Sequence, residues 1–316
     1  MRIAITGSNG QLGKELRKAL GRDTLILIDI HNYDITDRRK TFELLKTHKP
    51  EAIIHGAAMT DVDGCERDPE MAHKSNIIGT RNIVEAAREL NAYLVHVSTD
   101  YVFDGQKDGA YVETDRTDPI NVYGRTKLDA ESEVLKAIPS SVIIRTAWLY
   151  GDGNNFVRKI LNLAKSRPVI NVVGDQRGSP TYAKDLAAAI TDLIRMRQAG
   201  IFHFSNDGSC SRFEFAKEIV RLANLTTVVR PVNSDAFPVP VRRPMNSTLD
   251  CSKIKKIGVT VRDWKEALHD YMYDHAAVED RSDPVQERPH LLVVQGSDGQ
   301  TSDNLTGIET SLTKRS

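Results

Sequence analysis

Two side chains in the stretch NVYGRTKLDAE could transfer a proton. Tyr123 and Lys127 lie four positions apart, and on a helix this spacing puts both on one face, about 6 Å apart. A phenol has an ordinary pKa of about 10, but a nearby ammonium stabilises the phenolate and lowers that pKa. The pattern therefore indicates a catalytic pair. The alternative is a pair of surface residues on an amphipathic helix.

A second group of reactive side chains follows the apolar stretch YLVHV. The strand that this stretch predicts ends in Ser98, Thr99 and Asp100, and Tyr101 and Phe103 come next. A hydroxyl, a carboxylate and two aromatic rings within six residues could form one wall of a ligand site. An ordinary turn at the strand end is the simpler interpretation.

The first predicted strand runs into TGSNGQLGKEL, in which Gly7, Gly10 and Gly13 have the spacing G-x-x-G-x-x-G. Gly7 permits the sharp turn, Gly10 lets backbone N–H groups approach a pyrophosphate, and Gly13 lets the helix pack closely on the strand. The helix N-terminus then faces the phosphate charge. Because the turn lies between a strand and a helix, the pattern predicts dinucleotide binding rather than a plain tight turn.

The next strand ends at Asp29, 22 residues after Gly7. An acid at this position can accept hydrogen bonds from the adenosine ribose and favours NAD over NADP. Arg38 and Arg39 follow closely and could instead contact a 2′-phosphate. Asp34 could face the adenine or cap a helix. Either NADPH or NADH therefore stays open as the cofactor.

The third strand ends in HGAAMTDVD, where small side chains could let a cofactor lie against the backbone. Ala57 and Ala58 leave that space, and Thr60 adds a hydroxyl. Tight packing between sheet and helix explains the same alanines equally well.

Short apolar runs alternate with helix-period stretches through the N-terminal half, which predicts a parallel sheet with helices on both faces. We therefore expect an α/β fold with a doubly wound, Rossmann-type sheet. The strand candidates are Arg2–Thr6, Thr24–Asp29, Ala52–His55, Leu94–Ser98 and Ser141–Thr146. Trp148 follows the last of them, at the sheet edge where ligands bind in such folds.

The pattern changes after Tyr150, and three regions are expected. Residues 1–150 form the dinucleotide-binding domain. Residues 151–275 form a smaller substrate-binding lobe, some of whose segments complete the sheet. Residues 276–316 are rich in Asp, Ser, Gln, Gly and Thr, with only LLVV apolar, so we expect a disordered tail there.

Composition excludes several functions for a chain of 316 residues. Lys plus Arg equals Asp plus Glu, at 43 each, which argues against binding to nucleic acid or a membrane surface. No apolar run is long enough to span a bilayer, and a strand beginning at Arg2 leaves no room for a signal peptide. The three cysteines are far apart, so a reducing cytoplasm is expected.

Taken together, these features resemble the extended short-chain dehydrogenase/reductases. The resemblance rests on the glycine turn, the alanine pair, the Tyr-x-x-x-Lys pair and a hydroxyl 24 residues before the tyrosine. Longer motifs are similar to one branch of that superfamily, the dTDP-4-dehydrorhamnose reductases. These motifs are STDYVFDG, ETDRTDPINVYGRTKL, RTAWLYGDGNNF, DQRGSPT and RRPMNSTLD. The whole match to this branch runs in order from Met1 to about Tyr273.

The resemblance implies reduction of the C4 ketone of dTDP-6-deoxy-L-lyxo-4-hexulose by NAD(P)H. It implies that Tyr123 donates the proton, Thr99 holds the sugar oxygen and Lys127 anchors the nicotinamide ribose. It places Asp100 and Trp148 against the substrate, with Asn154, Asn155 and Arg243 as weaker candidates. The implied cofactor-binding residues are Gly7, Gly10, Gln11, Leu12, Gly13, Asp29, Asp34, Ile35, Ala58, Met59, Thr60, Tyr123 and Lys127.

Two alternatives remain. The regulatory β subunit of methionine adenosyltransferase resembles the same reductases but is a binding partner, and a related nucleotide-sugar epimerase or dehydratase would keep its cofactor bound. Some relatives dimerise through acidic residues and magnesium. Glu15 matches such a position, but Lys184 stands where a second acid is expected, so we expect no metal and a monomer or homodimer. Asp61 and Gly64 also depart from the family pattern.

Overall fold

A computed structural model describes residues 1–237, 241–279 and 291–293. The strands, in chain order, are β1 Arg2–Thr6, β2 Thr24–Ile28, β3 Ala52–His55, β4 Tyr93–Thr99, β5 Val142–Thr146, β6 Leu149–Tyr150, β7 Val169–Val173, β8 Arg177–Gly178, β9 Thr181–Tyr182, β10 Gly200–His203, β11 Cys210–Ser211, β12 Val228–Val232 and β13 Leu291–Val293.

Helices connect most of these strands. In chain order they are α1 Gln11–Ala19, α2 Arg38–His48, α3 Val62–Arg67, α4 Pro69–His73, α5 Gly79–Glu89, α6 Val122–Ala137, α7 Phe156–Ser166, α8 Ala183–Arg195, α9 Arg212–Leu222, α10 Ser252–Lys256 and α11 Trp264–Glu279. A π-helical turn at Lys74–Ile78 joins α4 to α5, and a 3-10 turn at Asp100–Val102 follows β4. No helix in the described ranges is both long and apolar enough to cross a bilayer.

Seven strands form one parallel sheet in the order β10-β5-β4-β3-β1-β2-β13. The chain winds outward in opposite directions from β1 and β3, so the doubly wound Rossmann-type fold predicted from the sequence is confirmed. The ends of the predicted strands differ from the observed ones by one residue at most. Strand β4 is one residue longer at each end than predicted, and the extra residue at its carboxyl end is Thr99, which therefore has the strand's fixed backbone.

Helices cover both faces of the sheet, which is why its strands are apolar on both sides. The core on one face includes Leu16 of α1 and Ile190 of α8, packed with strand residues such as Ile5. The core on the other face includes Leu45 of α2 and Val134 of α6. The sheet is buried between them, and only its edges and the carboxyl ends of its strands remain for binding.

The C-terminal lobe has a core of its own, formed by α7, α9, α11 and the short strand pairs. Strand β10 pairs with β5, and α8 packs on the sheet with α1. The division at residue 150 therefore remains a proposal about function, because part of the later chain belongs physically to the sheet.

The expectation of a disordered tail from residue 276 stays a prediction, and two short parts of that stretch have regular secondary structure. Helix α11 continues to Glu279, and Leu291–Val293 forms an edge strand parallel to β2. This short segment is the apolar run of the tail, and it satisfies backbone groups along the open edge of β2. The remainder of 276–316 lies outside the described residues.

A buried ion pair fixes α6 against the sheet. The guanidinium of Arg145 on β5 donates to both oxygens of Glu131 on α6, at 2.9 and 2.7 Å, and each side chain is only 3% exposed. Ser98 on β4 donates to the same carboxylate at 2.5 Å. Because α6 also bears Tyr123 and Lys127, this contact sets their height above the strand ends.

We expect Glu131→Gln to lower the free energy of unfolding by about 3–5 kcal/mol, because it leaves Arg145 buried without a counter-charge. Urea denaturation would measure the change. Glu133→Gln is the matched control on the same helix, since its ion pair with Arg81 is partly exposed and should contribute below about 1 kcal/mol. Equal, small losses in both variants would show that the buried pair does not hold the helix.

Candidate active site

A cavity of about 730 Å³ lies along the carboxyl ends of the central strands. That volume is within the range of small-molecule sites. The cofactor-binding residues that the resemblance implies line this cavity, together with Thr99, Asp100 and Trp148: Gly7, Gly10, Gln11, Leu12, Gly13, Asp29, Asp34, Ile35, Ala58, Met59, Thr60, Thr99, Asp100, Tyr123, Lys127 and Trp148. The structure thus brings these residues together, while their individual roles remain proposals.

The glycine turn at one end of the cavity cannot accept side chains. Gly7 has φ +70°, in the region that favours glycine. A Cβ on Gly13 would overlap the carbonyl oxygen of Gly7 and the backbone of Ser8. Helix α1 therefore packs directly on the turn, as the sequence predicted.

The first turn of α1 suits a dinucleotide phosphate. Its N-cap, Gly10, makes no side-chain capping bond, and the turn contains no acidic residue. The N–H groups at the start of α1 thus keep their partial positive charge for an anion. These residues fit the pyrophosphate side of a dinucleotide.

The end of the cavity beside β2 contains two acidic residues. Asp29 lies at the end of β2, where one of its oxygens accepts a hydrogen bond from the N–H of Asn9 at 3.0 Å. Asp34 accepts from the N–H of Thr36. The alternative that Asp34 caps a helix is wrong, because Asp37 caps α2.

The two arginines considered for a 2′-phosphate are held elsewhere. Arg38 pairs with Glu85 at 2.7 Å and Arg39 with Glu43 at 3.1 Å, and neither arginine lines the cavity. Among the residues that the structure describes, no arginine therefore lies beside the carboxylate of Asp29 in the cavity wall.

An asparagine that the sequence reasoning missed braces the loop after β3. The side chain of Asn76 accepts from the N–H of Met59 at 2.7 Å and donates to its carbonyl at 3.2 Å. It also donates to the hydroxyl of Thr126, which in turn donates to the carbonyl of Tyr123. The cofactor-side loop and the start of α6 are thus joined through one buried amide.

The phenol of Tyr123 lies beside the end of β4. Helix α6 can approach there because Gly124 has no side chain, and a Cβ would overlap the carbonyl oxygen of Tyr101. Burial raises the pKa of Tyr123, and a hydrogen bond with Thr99 acts in the opposite direction. The phenol is therefore protonated at neutral pH.

The ammonium of Lys127 is buried beneath the cavity. It donates to the carbonyl of Val97 at 2.8 Å and lies 3.3 Å from Nε2 of His96. Burial lowers its pKa to about 8, while Glu131 raises it. An ammonium has three N–H donors, so one remains for a ligand in the cavity that Lys127 lines.

The lowered phenol pKa expected from the Tyr–Lys pair is therefore not found, and the pKa of Tyr123 is raised instead. The ammonium is held by the backbone of β4 and by His96, and burial of Tyr123 outweighs other effects on its pKa.

Asp100 is a buried acid at the substrate end. Burial raises its pKa to about 6, although hydrogen bonds with Ser247 and Thr99 act against that rise. Its Oδ2 has no hydrogen-bond partner among the described residues. Ser247 belongs to the motif RRPMNSTLD, and no local pattern in the sequence indicated that it reaches Asp100.

Trp148 forms the far wall and is held in an unusual backbone conformation. Its φ of +44° is rare for a large side chain. A Cβ on Gly178 would lie 2.5 Å from the indole ring, so the motif DQRGSPT supplies the space that Trp148 occupies. Such strain is common at ligand sites.

Several weaker candidates do not line the cavity. Phe103 stacks on Tyr111 at 4.2 Å in a small core. Asn155 caps α7, Asn154 is exposed, and Arg243 pairs with Asp63 at 2.8 Å. These side chains lie outside the cavity lining, and their contacts with a substrate stay a prediction.

The residues that depart from the family pattern have local partners. Glu15 pairs with Lys18 at 2.7 Å and Lys184 with Asp274 at 2.9 Å. Asp61 lies against Gly64, where a Cβ would be only 2.5 Å from its carboxylate oxygen. These two substitutions therefore accommodate each other.

The doubly wound sheet, the glycine turn and the Tyr–Lys pair in one cavity define the short-chain dehydrogenase/reductase class. Within that class, the model of the RmlD substrate binding domain matches residues 1–277, so the chain belongs to this family.

Its relatives are similar along nearly their whole length. The chain is 38% identical to a dTDP-4-dehydrorhamnose reductase of Aggregatibacter actinomycetemcomitans, over 84% of this chain and 97% of the relative. A dTDP-4-dehydrorhamnose reductase structure from Clostridium acetobutylicum matches with a TM-score of 0.86 and 40% identity, over 87% and 100% of the two chains. One from Bacillus anthracis in complex with NADP matches with a TM-score of 0.84 and 39% identity, over 86% and 99%.

Because a carboxylate repels a 2′-phosphate, we expect the protein to bind NADH more tightly than NADPH. Asp29→Asn should shift the ratio of the two dissociation constants about tenfold towards NADPH. Fluorescence titration of each reduced dinucleotide would measure both constants. Asp37→Asn is the control, since that residue lies outside the cavity. An unchanged ratio in Asp29→Asn would exclude the acid as the discriminating group.

Proposed function

We propose that the protein is a dTDP-4-dehydrorhamnose reductase. It reduces the C4 ketone of dTDP-6-deoxy-L-lyxo-4-hexulose to give dTDP-L-rhamnose, a precursor of surface polysaccharide. The observation that best supports the proposal is that Thr99, Tyr123 and Lys127 line the same cavity as the glycine turn. The names of its relatives agree with it.

NADH or NADPH, when bound, supplies the hydride that reduces the ketone carbon. The phenol of Tyr123 gives its proton to the oxygen of that carbonyl, because a neutral phenol is a far stronger acid than the alcohol being formed. The hydroxyl of Thr99 holds the same oxygen as negative charge develops. In the structure this hydroxyl donates to Asp100 at 2.9 Å and accepts from the N–H of Tyr101 at 3.2 Å. It must therefore rotate towards the substrate.

Lys127 and Asp100 position the ligands. The free N–H of Lys127 donates to the nicotinamide ribose, while its other donors keep the ammonium fixed on β4. The partnerless oxygen of Asp100 accepts from a hydroxyl of the sugar. Trp148 closes the sugar side of the site.

We also propose a cytoplasmic enzyme that acts as a monomer or homodimer on a dTDP-sugar and binds neither nucleic acid nor membranes. The balanced charge supports this. Its three cysteines are free and buried, as is common in a reducing compartment.

An assay of the purified protein with dTDP-6-deoxy-L-lyxo-4-hexulose and each reduced cofactor tests the function directly. We expect one molecule of reduced cofactor, followed by its nicotinamide absorbance, to be consumed for each molecule of dTDP-L-rhamnose formed. An epimerase or dehydratase would consume no net reduced cofactor. A regulatory subunit of methionine adenosyltransferase would show no turnover but would bind that enzyme.

Tyr123→Phe should lower kcat by about 10²- to 10⁴-fold, because it removes the proton donor, and should leave the dissociation constant of the cofactor nearly unchanged. Steady-state kinetics and fluorescence titration would measure the two effects. Tyr93→Phe is the control, since that buried phenol donates to backbone carbonyls of Leu193 and Gln198 outside the cavity. Retained turnover in Tyr123→Phe would contradict the assigned role.

A further inference from the structure

A cation that the sequence reasoning did not consider lies in the substrate end of the cavity. Arg212, the first residue of α9, lines the cavity together with Thr99 and Tyr101. Its guanidinium lies 3.5 Å from the ring centroid of Trp148 and 5.2 Å from that of Phe156. Stacking on an aromatic face fixes the plane of a guanidinium while leaving its edge donors free.

The donors of Arg212 are not used within the protein. Among the residues that the structure describes, its guanidinium has no hydrogen bond and no ion pair. Asp100 and Tyr101 favour its charge electrostatically, but burial lowers its pKa. A guanidinium has five N–H donors and stays charged. A desolvated cation in this state is costly unless a ligand supplies negative charge.

A second arginine lies close enough to oppose the first. Arg243 lowers the pKa of Arg212, and both arginines act on the pKa of Tyr101. Arg243 is paired with Asp63 at 2.8 Å, which offsets its own charge but not that of Arg212. The guanidinium of Arg212 therefore has charged neighbours in Asp100 and Arg243 but no hydrogen-bonded counter-ion among the described residues.

We propose that Arg212 binds the diphosphate of the nucleotide-sugar substrate, with Arg243 as a supporting cation. The inference rests on the proposed function and extends it by naming a substrate-binding residue. A diphosphate provides two adjacent negative groups, and the guanidinium fork can donate to phosphate oxygens through two parallel bonds. The stacking on Trp148 couples this contact to the wall that closes the sugar side.

The test is the affinity of thymidine diphosphate and of thymidine, measured by calorimetry for the wild type and for Arg212→Met. Methionine keeps an apolar contact with Trp148 but removes the charge. We expect the variant to lose about tenfold to a hundredfold in affinity for the diphosphate, with no loss for thymidine or for NADH. Added salt should weaken diphosphate binding less in the variant than in the wild type.

Two further variants keep the result interpretable. Arg212→Lys keeps the charge without the fork and should lose less affinity than Arg212→Met. Arg221→Met lies on the same helix, where Arg221 is exposed and pairs with Glu218, and it should behave as wild type. Unchanged NADH affinity in each variant shows that the fold is intact.

Three outcomes would overturn the inference. Arg212→Met could bind the diphosphate as the wild type does, or could raise KM for the hexulose without weakening diphosphate binding, which would place the guanidinium on the sugar. The wild type could also bind no nucleoside diphosphate, whether thymidine or uridine. The wild-type protein could also bind thymidine diphosphate through Arg212 without reducing the hexulose. That result would contradict the proposed function but would support the contact between Arg212 and the diphosphate.

Discussion

The site depends on the buried carboxylate of Glu131. It ties α6 to β4 and β5 through Ser98 and Arg145, and α6 is the element that bears both Tyr123 and Lys127. A parallel sheet leaves functional groups only at the carboxyl ends of its strands, so a helix crossing that edge must be held at a fixed height. An ion pair inside a low-dielectric core does this well because neither charge can be released to water. Stability and catalytic geometry therefore share one contact.

Charged groups around the cavity are each left partly satisfied. Lys127 has one N–H donor without a protein partner, and Asp100 has one carboxylate oxygen without a partner among the described residues. The guanidinium N–H groups of Arg212 likewise make no hydrogen bond to the described residues. Each buried polar group without a partner lowers the free energy of unfolding, and a polar ligand can supply the missing hydrogen bond. Complete pairs, such as Arg38 with Glu85 or Lys184 with Asp274, lie outside the cavity.

Features of the fold that depend on residues close together in the chain could be predicted from the sequence. Apolar runs predicted five strands to within one residue, and the glycine spacing predicted the turn because its steric cause lies within seven residues. Contacts between distant segments could not be read in this way. Asn76, Ser247 and Arg212 reach the site from separate parts of the chain, and each occurs in a stretch with no distinctive spacing. Phe103 was misplaced for the same reason, because its partner Tyr111 decides which way the ring faces.

The raised pKa of Tyr123 is compatible with its proposed role once the direction of reaction is considered. In reduction the phenol must begin protonated, and burial ensures this. As hydride reaches the ketone carbon, the sugar oxygen becomes an alkoxide, a much stronger base than a phenolate, so proton transfer is downhill even from a phenol of raised pKa. A lowered pKa matters for the reverse reaction, in which phenolate must exist at the start. The buried phenol of Tyr123 is thus set for the reductive direction, in which it starts protonated and gives up its proton to the sugar oxygen.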